Sequence, residues 1–195
     1  MEYLVKHYGL EQGALEIQYI EEHFGEFPQK KTASEIIRRL AGREHQIVMA
    51  EAALSDDPGM LVPVSFKVSH ELSKDESEPE LCDLVGRLTD VVDFEGRRVL
   101  YNWLGGTRTD WRGQGHFRAL TEEQETWAIA QGFDELLVKT KNKFHNMRST
   151  LAQLGFEVVH FERAAESSES KIYLSKRLGP QVLNSHRSAR TLVKA

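Results

Sequence analysis

The chain has 195 residues, of which 40% are hydrophobic and 28% are charged, a balance typical of a soluble globular domain. Its formal net charge of −5 argues against a nucleic-acid binder, and no apolar run approaches the roughly 20 residues of a membrane span. A single cysteine, Cys82, excludes an internal disulfide and a cysteine-rich metal site. Because the N-terminal residues lack a signal-peptide pattern, we expect a cytoplasmic protein without a metal.

The first third of the chain predicts a strand, two helices and a hairpin. Residues 3–8 predict the strand, and residues 12–24 predict an amphipathic helix. The apolar side of this helix consists of Leu15, Ile17, Ile20 and Phe24. After the break "GEFP", Thr32 or Ser34 caps a second helix, which Gly42 ends. The segments "QIVMAEAAL" and "MLVPVSFKV" then predict two antiparallel strands.

The rest of the chain predicts alternating strands and helices after an insertion. The polar stretch "SKDESEPE" predicts a solvated linker, and apolar residues at helical spacing follow it, so residues 73–98 form a helical insertion before the fourth strand, "VLYNWLGG". A helix ended by Gly132, the strand "ELLVKT", a helix ended by Gly155 and two closing strands come next. Residues 179–195 have little apolar pattern and several basic residues, which predicts a flexible tail.

The segment "DWRGQGHFRAL" places an arginine and two glycines directly before a helix. Glycines allow the backbone to approach a ligand closely, and the first turn of a helix offers unpaired N–H groups and the positive end of the helix dipole. Arginine adds a charged fork suited to phosphate. We call residues 112–117 the glycine turn and predict that it binds a pyrophosphate. A Walker loop is excluded because no Gly-Lys is followed by Ser or Thr, and a Rossmann fingerprint would follow the first strand.

The order of elements and the residues at their junctions resemble the GNAT superfamily of acyl-CoA-dependent N-acetyltransferases. The signature turn of that family is Arg or Gln, two free positions, Gly, one free position, then Gly or Ala, and residues 112–117 match it except at Phe117. The segments "LLVKTKN" and "LAQLGF" resemble the family's next strand and the end of its following helix. Residues 99–178 also resemble a bacterial subgroup of this superfamily, whereas the earlier residues match only in topology.

The resemblance implies an α/β (α+β) fold with a splayed mixed sheet flanked by helices, in one domain over residues 1–178. It implies acetyl-CoA as co-substrate, a small-molecule amine as acceptor, and no nucleic-acid or membrane partner; a homodimer stays open. The residues that it assigns to acetyl-CoA binding are Gly106, Thr107, Arg112, Gly113, Gln114, Gly115, His116, Phe117 and Asn142. In this family, a backbone N–H of the fourth strand stabilises the oxyanion, here near Gly106 or Thr107.

The catalytic residues match the family less well. Counting back four residues from Gly155 gives Leu151, where relatives often carry a tyrosine that protonates the leaving thiolate. Tyr101 and Glu71 are candidate catalytic residues, although a core aromatic and a surface carboxylate are the simpler interpretations. The leading hypothesis is an N-acetyltransferase for a small amine. The alternatives are a catalytically silent acyl-CoA-binding or regulatory module and a protein or peptide N-acetyltransferase.

Two acidic stretches suggest the chemistry of the acceptor. Relatives line the amine site with their first two helices, and here that region carries Glu21, Glu22 and Glu26. The linker adds further carboxylates at Asp75, Glu76, Glu78 and Glu80. Acidic walls would attract a cationic amine such as a polyamine. The alternative is that these carboxylates form an ordinary solvated surface.

Overall fold

A computed structural model describes residues 3–24, 30–54 and 57–186 of the chain. Its strands are β1 Leu4–Tyr8, β2 His45–Leu54, β3 Asp57–Leu72, β4 Val99–Thr107, β5 Glu135–Lys141, β6 Glu157–Glu162 and β7 Lys171–Arg177. Its helices are α1 Leu10–Phe24, α2 Ala33–Leu40, α3 Pro79–Leu88, α4 His116–Ala130, α5 His145–Gln153 and α6 Pro180–Leu183. Among these described helices, none has the length and apolar composition that crossing a bilayer requires.

The seven strands form one mixed sheet in the order β1-β2-β3-β4-β5-β7-β6. β4 and β5 run parallel, whereas β1 with β2, β2 with β3, β5 with β7 and β6 with β7 are antiparallel. The recorded β4–β5 pairs run from Val99 with Glu135 to Asn102 with Val138. The recorded pairs end there, while β4 continues to Thr107 and β5 to Lys141. The predicted splayed mixed sheet flanked by helices is therefore confirmed.

The described residues of Met1–His70 and Leu104–Gln124 form one compact unit. Its core gathers Val48, Ala50, Ala52, Val64, Trp111 and Leu120. In α1, Ile17 and Ile20 are buried as the helical period predicts, but Leu15 is 61% exposed. The predicted apolar side of α1 was wrong at Leu15, because the buried stripe of the helix includes Ala14 and Ile17 instead. Phe24 as a side chain, and the break at 25–28, lie outside the described residues.

The second helix begins and ends where the sequence predicts. The Thr32 side chain accepts a hydrogen bond from the Glu35 N–H, and the Glu35 carboxylate accepts one from the Thr32 N–H. This reciprocal pair, a capping box, satisfies donors that would otherwise be unpaired at the helix start. Gly42 has a φ of 74°, the left-handed conformation that glycine adopts after a helix.

The described residues of Glu71–Trp103 and Glu125–Ala195 form a second compact unit. Its core contains the apolar side of α3, namely Leu81, Leu84, Val85 and Leu88, together with residues of four strands and of the segment after α3. Tyr101 of β4, Leu137 of β5 and Tyr173 of β7 belong to this cluster, which we call the α3 cluster. The helical insertion predicted before the fourth strand is therefore confirmed, and its burial explains the helical spacing of its apolar residues.

The segment after β7 differs from the predicted tail at its start. Residues 180–183 form α6, and both Val182 and His186 are buried. His186 Nε2 lies 2.7 Å from Glu125 Oε2, and Lys176 Nζ lies 2.6 Å from Glu125 Oε1. These buried polar contacts hold the segment in place through residue 186, which apolar patterning alone does not reveal. Residues 187–195 lie outside the described part of the chain, and a single domain over 1–178 stays a prediction.

Candidate active site

The glycine turn follows β4 through a short 3₁₀ turn at Thr109–Trp111. Gly113 has a φ of 77° and Gly115 a φ of 87°. L side chains rarely adopt such values, so the backbone path itself requires glycine at both positions. A Cβ atom added at either glycine would meet nothing within 4 Å. There is consequently open space beside the backbone, as a bound ligand would need.

The backbone N–H groups of the turn are the feature that points to an anion. The first backbone hydrogen bond of α4 runs from the Ala119 N–H to the Gly115 carbonyl, over 3.0 Å. Within the part of the chain that the structure describes, the N–H groups of residues 113–117 donate to no other group. Five consecutive unpaired donors at the positive end of a helix are suited to phosphate oxygens.

Two polar side chains of the turn support this interpretation. Arg112 is exposed, and its Nε donates to the Thr107 carbonyl over 3.1 Å, which ties the turn to the end of β4. The Oε1 atom of Gln114 is buried without a hydrogen-bond partner in the described residues. An unsatisfied buried oxygen is costly, so it indicates either a water molecule or a ligand at this position.

His116 takes a structural place at the start of α4. It is 1% exposed, its ring stacks on Trp111 at 5.8 Å between centroids, and it meets the Tyr3 ring edge-on at 4.4 Å. Neither ring nitrogen has a hydrogen-bond partner among the described residues. Burial lowers the pKa of His116, because the charged imidazolium loses its hydration. The ring of His116 therefore packs among aromatic neighbours, and its backbone N–H is the group that it adds to the donors of the glycine turn.

The end of β4 packs closely on β3. A Cβ atom at Gly105 would lie 3.3 Å from the Phe66 carbonyl oxygen and 3.4 Å from Lys67 Cγ. Close packing between strands therefore explains Gly105 without a ligand. The Ser65 hydroxyl donates to the Gly106 carbonyl over 3.1 Å and lies 2.8 Å from Thr107 Oγ1. These contacts fix the segment on which the predicted oxyanion donor lies.

Lys67 is a buried residue near the glycine turn that the sequence interpretation missed. It is 1% exposed on β3, and its Nζ donates to Thr121 Oγ1 over 2.6 Å. Thr121 Oγ1 donates in turn to the Phe117 carbonyl, and Lys67 Nζ lies 4.4 Å from the centroid of the Phe117 ring. A cation over the ring face stabilises Phe117 in the position where relatives carry a small residue. The only sequence signal was a lysine in the otherwise apolar alternation "VPVSFKV".

Asn142, at the end of β5, has its amide engaged by neighbours of its own unit. Its Nδ2 donates to the Ser167 carbonyl over 3.1 Å, and Arg148 Nη1 donates to its carbonyl oxygen and to its Oδ1. The backbone N–H of Asn142 donates to the Ser170 carbonyl over 2.8 Å. Asn142 therefore holds the loop between β6 and β7 in place through its contacts with Ser167 and Ser170.

Glu71, a predicted catalytic residue, lies in an ion pair. Arg98 Nε donates to the Glu71 carboxylate over 3.0 Å, while Arg98 also donates to the Gln131 carbonyl and stacks on Phe133. Because β4 begins one residue after Arg98 and ends at Thr107, Glu71 lies beside the start of β4 and not its end. The structure thus places Glu71 in an ion pair with Arg98, and its catalytic role stays a prediction.

Tyr101 and Leu151 both lie in apolar surroundings. Tyr101 is 6% exposed, pairs with Leu137 in the ladder and packs in the α3 cluster. Leu151 on α5 is fully buried, as a packing residue would be. The position where relatives carry a tyrosine therefore has no group that can donate a proton.

The acidic surface predicted for the acceptor is smaller than the sequence suggests. Glu21 is 2% exposed and accepts a hydrogen bond from the Lys31 N–H, and burial raises its pKa. Glu22 is exposed and accepts a hydrogen bond from Gln18, whereas Glu26 lies outside the described residues. Glu76 accepts a hydrogen bond from the Ser73 N–H, which fixes the linker turn. The prediction of a cationic acceptor therefore rests on fewer exposed carboxylates.

Comparison with known proteins identifies the fold. No protein-family model and no curated protein matches the sequence. Among solved structures, NAA60 of Arabidopsis thaliana in complex with acetyl-CoA superposes with a TM-score of 0.69 at 11% identity, covering 90% of this chain and 98% of that one. An acetyltransferase-like protein from Desulfovibrio desulfuricans, assigned to the GNAT family, gives 0.59 at 14% identity, covering 91% and 100%. This chain has the GNAT fold.

A third solved structure of the same fold carries two bound ligands. The NatC complex bound to Gag peptide and CoA gives a TM-score of 0.64 at 15% identity, covering 92% of this chain and 100% of that one. Since all three neighbours are at most 15% identical to this chain, the likeness shows the GNAT fold, while activity and residue roles have to be argued from the site itself.

Proposed function

We propose that this chain is an acetyl-CoA-dependent N-acetyltransferase. The observation that carries the proposal is the row of unpaired N–H groups at residues 113–117, at the start of α4, on a GNAT fold. The solved neighbours of this fold include one in complex with acetyl-CoA and one bound to CoA. Acetyl-CoA carries a pyrophosphate, which is the anion that such a turn is suited to bind.

The residues of the glycine turn fit that co-substrate. Gly113 and Gly115 leave open space beside the backbone, and Arg112 can add a charged hydrogen bond to a phosphate. When bound, acetyl-CoA supplies the acetyl group as an activated thioester. A backbone N–H near Gly106 or Thr107 would stabilise the oxyanion, because Ser65 already fixes this part of β4. Asn142 would contribute by holding the loop between β6 and β7.

The reaction also requires a proton transfer. The acceptor, an ammonium at neutral pH, must lose a proton before it attacks. The two candidates from the sequence are Tyr101 and Glu71, of which Glu71 is held in an ion pair with Arg98. The leaving thiol has an ordinary pKa of about 8.5, so it can leave without a dedicated acid at position 151.

For the acceptor, we propose the amine of a small molecule. A peptide amino terminus is the second candidate, favoured by the solved NatC complex, which is bound to a peptide. A catalytically silent acyl-CoA-binding module is the third, favoured by Leu151 in place of a tyrosine. These three candidates make different predictions for thiol release.

The test combines calorimetry and turnover. Titration with coenzyme A should show binding, and mixing with acetyl-CoA and a panel of small amines should release free thiol faster than acetyl-CoA alone. Release with peptides only would replace the small amine by a peptide acceptor. Binding without release across the whole panel would establish the silent module, and absence of coenzyme A binding would refute the proposal.

A further inference from the structure

The recorded β4–β5 ladder ends beside an unusual pair of residues. The last recorded pair of the ladder is Asn102 with Val138, and the next residues along the two strands are Trp103 and Lys139. Because side chains alternate along a strand, Trp103 shares a face with Tyr101, and Lys139 shares one with Leu137. Tyr101 and Leu137 both belong to the α3 cluster, against which Trp103 also packs. Trp103 and Lys139 thus lie where that cluster ends.

Lys139 is partly buried on β5. Within the described residues it makes no hydrogen bond or ion pair, and the carboxylates of Glu80 and Glu162 act on it only from beyond ion-pair distance. The nearest carboxylate on β6, Glu162, is already engaged by Lys171 at 2.6 Å, Arg87 at 2.7 Å and the Tyr173 hydroxyl at 3.0 Å. Further along β5, Lys141 is bonded to Glu169 over 2.6 Å. Lys139 therefore differs from the other lysine on its face of β5.

The charges around Lys139 come from several elements. Glu80 and Arg87 of α3, Glu162 of β6 and Lys171 of β7 act on it. Burial is the largest influence and lowers the pKa of Lys139. The positive charge of Lys171 acts in the same direction, whereas the carboxylates of Glu80 and Glu162 oppose it. A partly buried ammonium without a hydrogen-bonded counter-ion is costly, so an incoming anion is stabilised there.

We propose that Lys139 binds a carboxylate of the acceptor, so that the preferred acceptor is a small amine bearing a carboxylate near its amino group. The proposal rests on the proposed N-acetyltransferase function. Trp103 offers an aromatic surface at the same end of the α3 cluster for the apolar part of such a molecule. This assignment replaces the cationic acceptor that the acidic stretches predicted.

The test uses matched acceptors that differ only in the charge next to the amine. Thiol release is measured for several α-amino acids and for the amide of each, first with the wild-type protein. The variants are Lys139→Met, Lys139→Arg as a conservative rescue, and Lys141→Met as a control that removes a paired charge from the same strand. Calorimetry with coenzyme A is run on every variant.

The expected result is a preference of the wild-type protein for the acid in at least one pair. Lys139→Met should lower kcat/KM for that acid by about 10–100-fold, the size of a lost charged hydrogen bond. It should change kcat/KM for the amide less than threefold, and Lys139→Arg should retain most of the preference. Lys141→Met should behave like the wild type.

Two results would overturn the inference while leaving the proposed function intact. One is thiol release with small amines or amides at rates that show no preference for the acid in any pair. The other is an equal loss for acid and amide in Lys139→Met, which would show a general effect on the fold. Absence of coenzyme A binding in the wild-type protein would instead overturn the proposed function and this inference together.

Discussion

The glycine turn and the Lys139 position would each bind an anion, but they do so with different parts of the chain. The turn presents N–H groups of five consecutive residues, whose side chains serve other purposes, such as the packing of His116 between Trp111 and Tyr3. Lys139 presents one ammonium from a regular strand. A backbone site depends on the path of the chain, and a side-chain site depends on one functional group.

This difference predicts different sensitivity to substitution. At the glycine turn, a change that alters φ or fills the open space should disturb all five donors together, whereas a side-chain deletion should have a moderate effect. At Lys139 the backbone is an ordinary strand, so deleting the side chain should remove the whole effect.

The largest effect is expected for Gly115→Asp. This change puts a side chain at a φ of 87° and a negative charge where the pyrophosphate would lie. We expect affinity for coenzyme A to fall by about a thousandfold or more, since like-charge contacts cost several kcal/mol. Calorimetry measures it. Gly9→Asp is the matched control, because Gly9 also has open space around it but no positive φ, and should bind normally. Normal binding by Gly115→Asp would remove the turn from the site.

The next effect concerns Tyr101, a side-chain site like Lys139. If its hydroxyl transfers a proton, Tyr101→Phe should lower kcat by about a hundredfold or more and leave coenzyme A affinity unchanged. The ring remains in the α3 cluster, so the fold should be retained. Steady-state thiol release with the best acceptor measures kcat, and Tyr19→Phe on the exposed face of α1 is the control. A kcat within threefold of the wild type would reduce Tyr101 to a core aromatic.

A moderate effect is expected for Arg112→Ala. The variant keeps the five backbone donors and loses one charged side chain, so coenzyme A affinity should fall by about 10–100-fold, corresponding to roughly 1.5–3 kcal/mol. Arg108→Ala removes an arginine of the same loop that is paired with Asp110, and should change the affinity less than threefold. Equal losses in both variants would indicate a general electrostatic effect in place of a specific contact.

The contrast between backbone and side chain also explains what the sequence could predict. An N-cap at Thr32 or Ser34, the helix-ending glycines at 42, 132 and 155, and the glycine turn were predicted from residue types, and the structure adds Glu35 to the cap at Thr32. Each depends on local conformation, which a few neighbouring residues determine. The alternation and helical spacing likewise predicted the hairpin and the helical insertion, because burial of one face imposes a period.

The missed features depend on contacts between distant parts of the chain. Lys67 is buried through Thr121, and His186 is held by Glu125, in each case more than fifty residues away. Glu21 is buried and Leu15 is exposed, the reverse of what their polarity predicts. The segment "LLVKTK" alone does not distinguish Lys139 from Lys141. Only the strand register shows that Lys139 follows the last recorded pair of the β4–β5 ladder. Composition and period contain no information about such tertiary partners.

A smaller effect concerns the pH dependence of stability through His116. Burial lowers its pKa in the folded state, so the unfolded chain binds the proton more readily. Its contribution to stability is complete above the unfolded pKa of about 6.5 and is lost as the pH falls below that value. We therefore expect the wild-type protein to lose more free energy of unfolding between pH 7.5 and pH 5 than His116→Phe does. Urea denaturation at both values measures this. His145→Gln, at an exposed position, should follow the wild type, and identical losses in His116→Phe and wild type would contradict the argument.

The smallest effect is expected for Leu151→Met, which tests whether α5 takes any part in the chemistry. Leu151 is fully buried, and a volume-conserving substitution in a core usually costs less than about 1.5 kcal/mol. Thiol release should therefore remain within about threefold of the wild type, with coenzyme A affinity unchanged. If the folded variant instead lost turnover by a factor of about a thousand, position 151 would lie close to the reacting atoms. The interpretation of Leu151 as a packing residue would then be wrong, because a volume-conserving change in a core does not by itself stop a reaction.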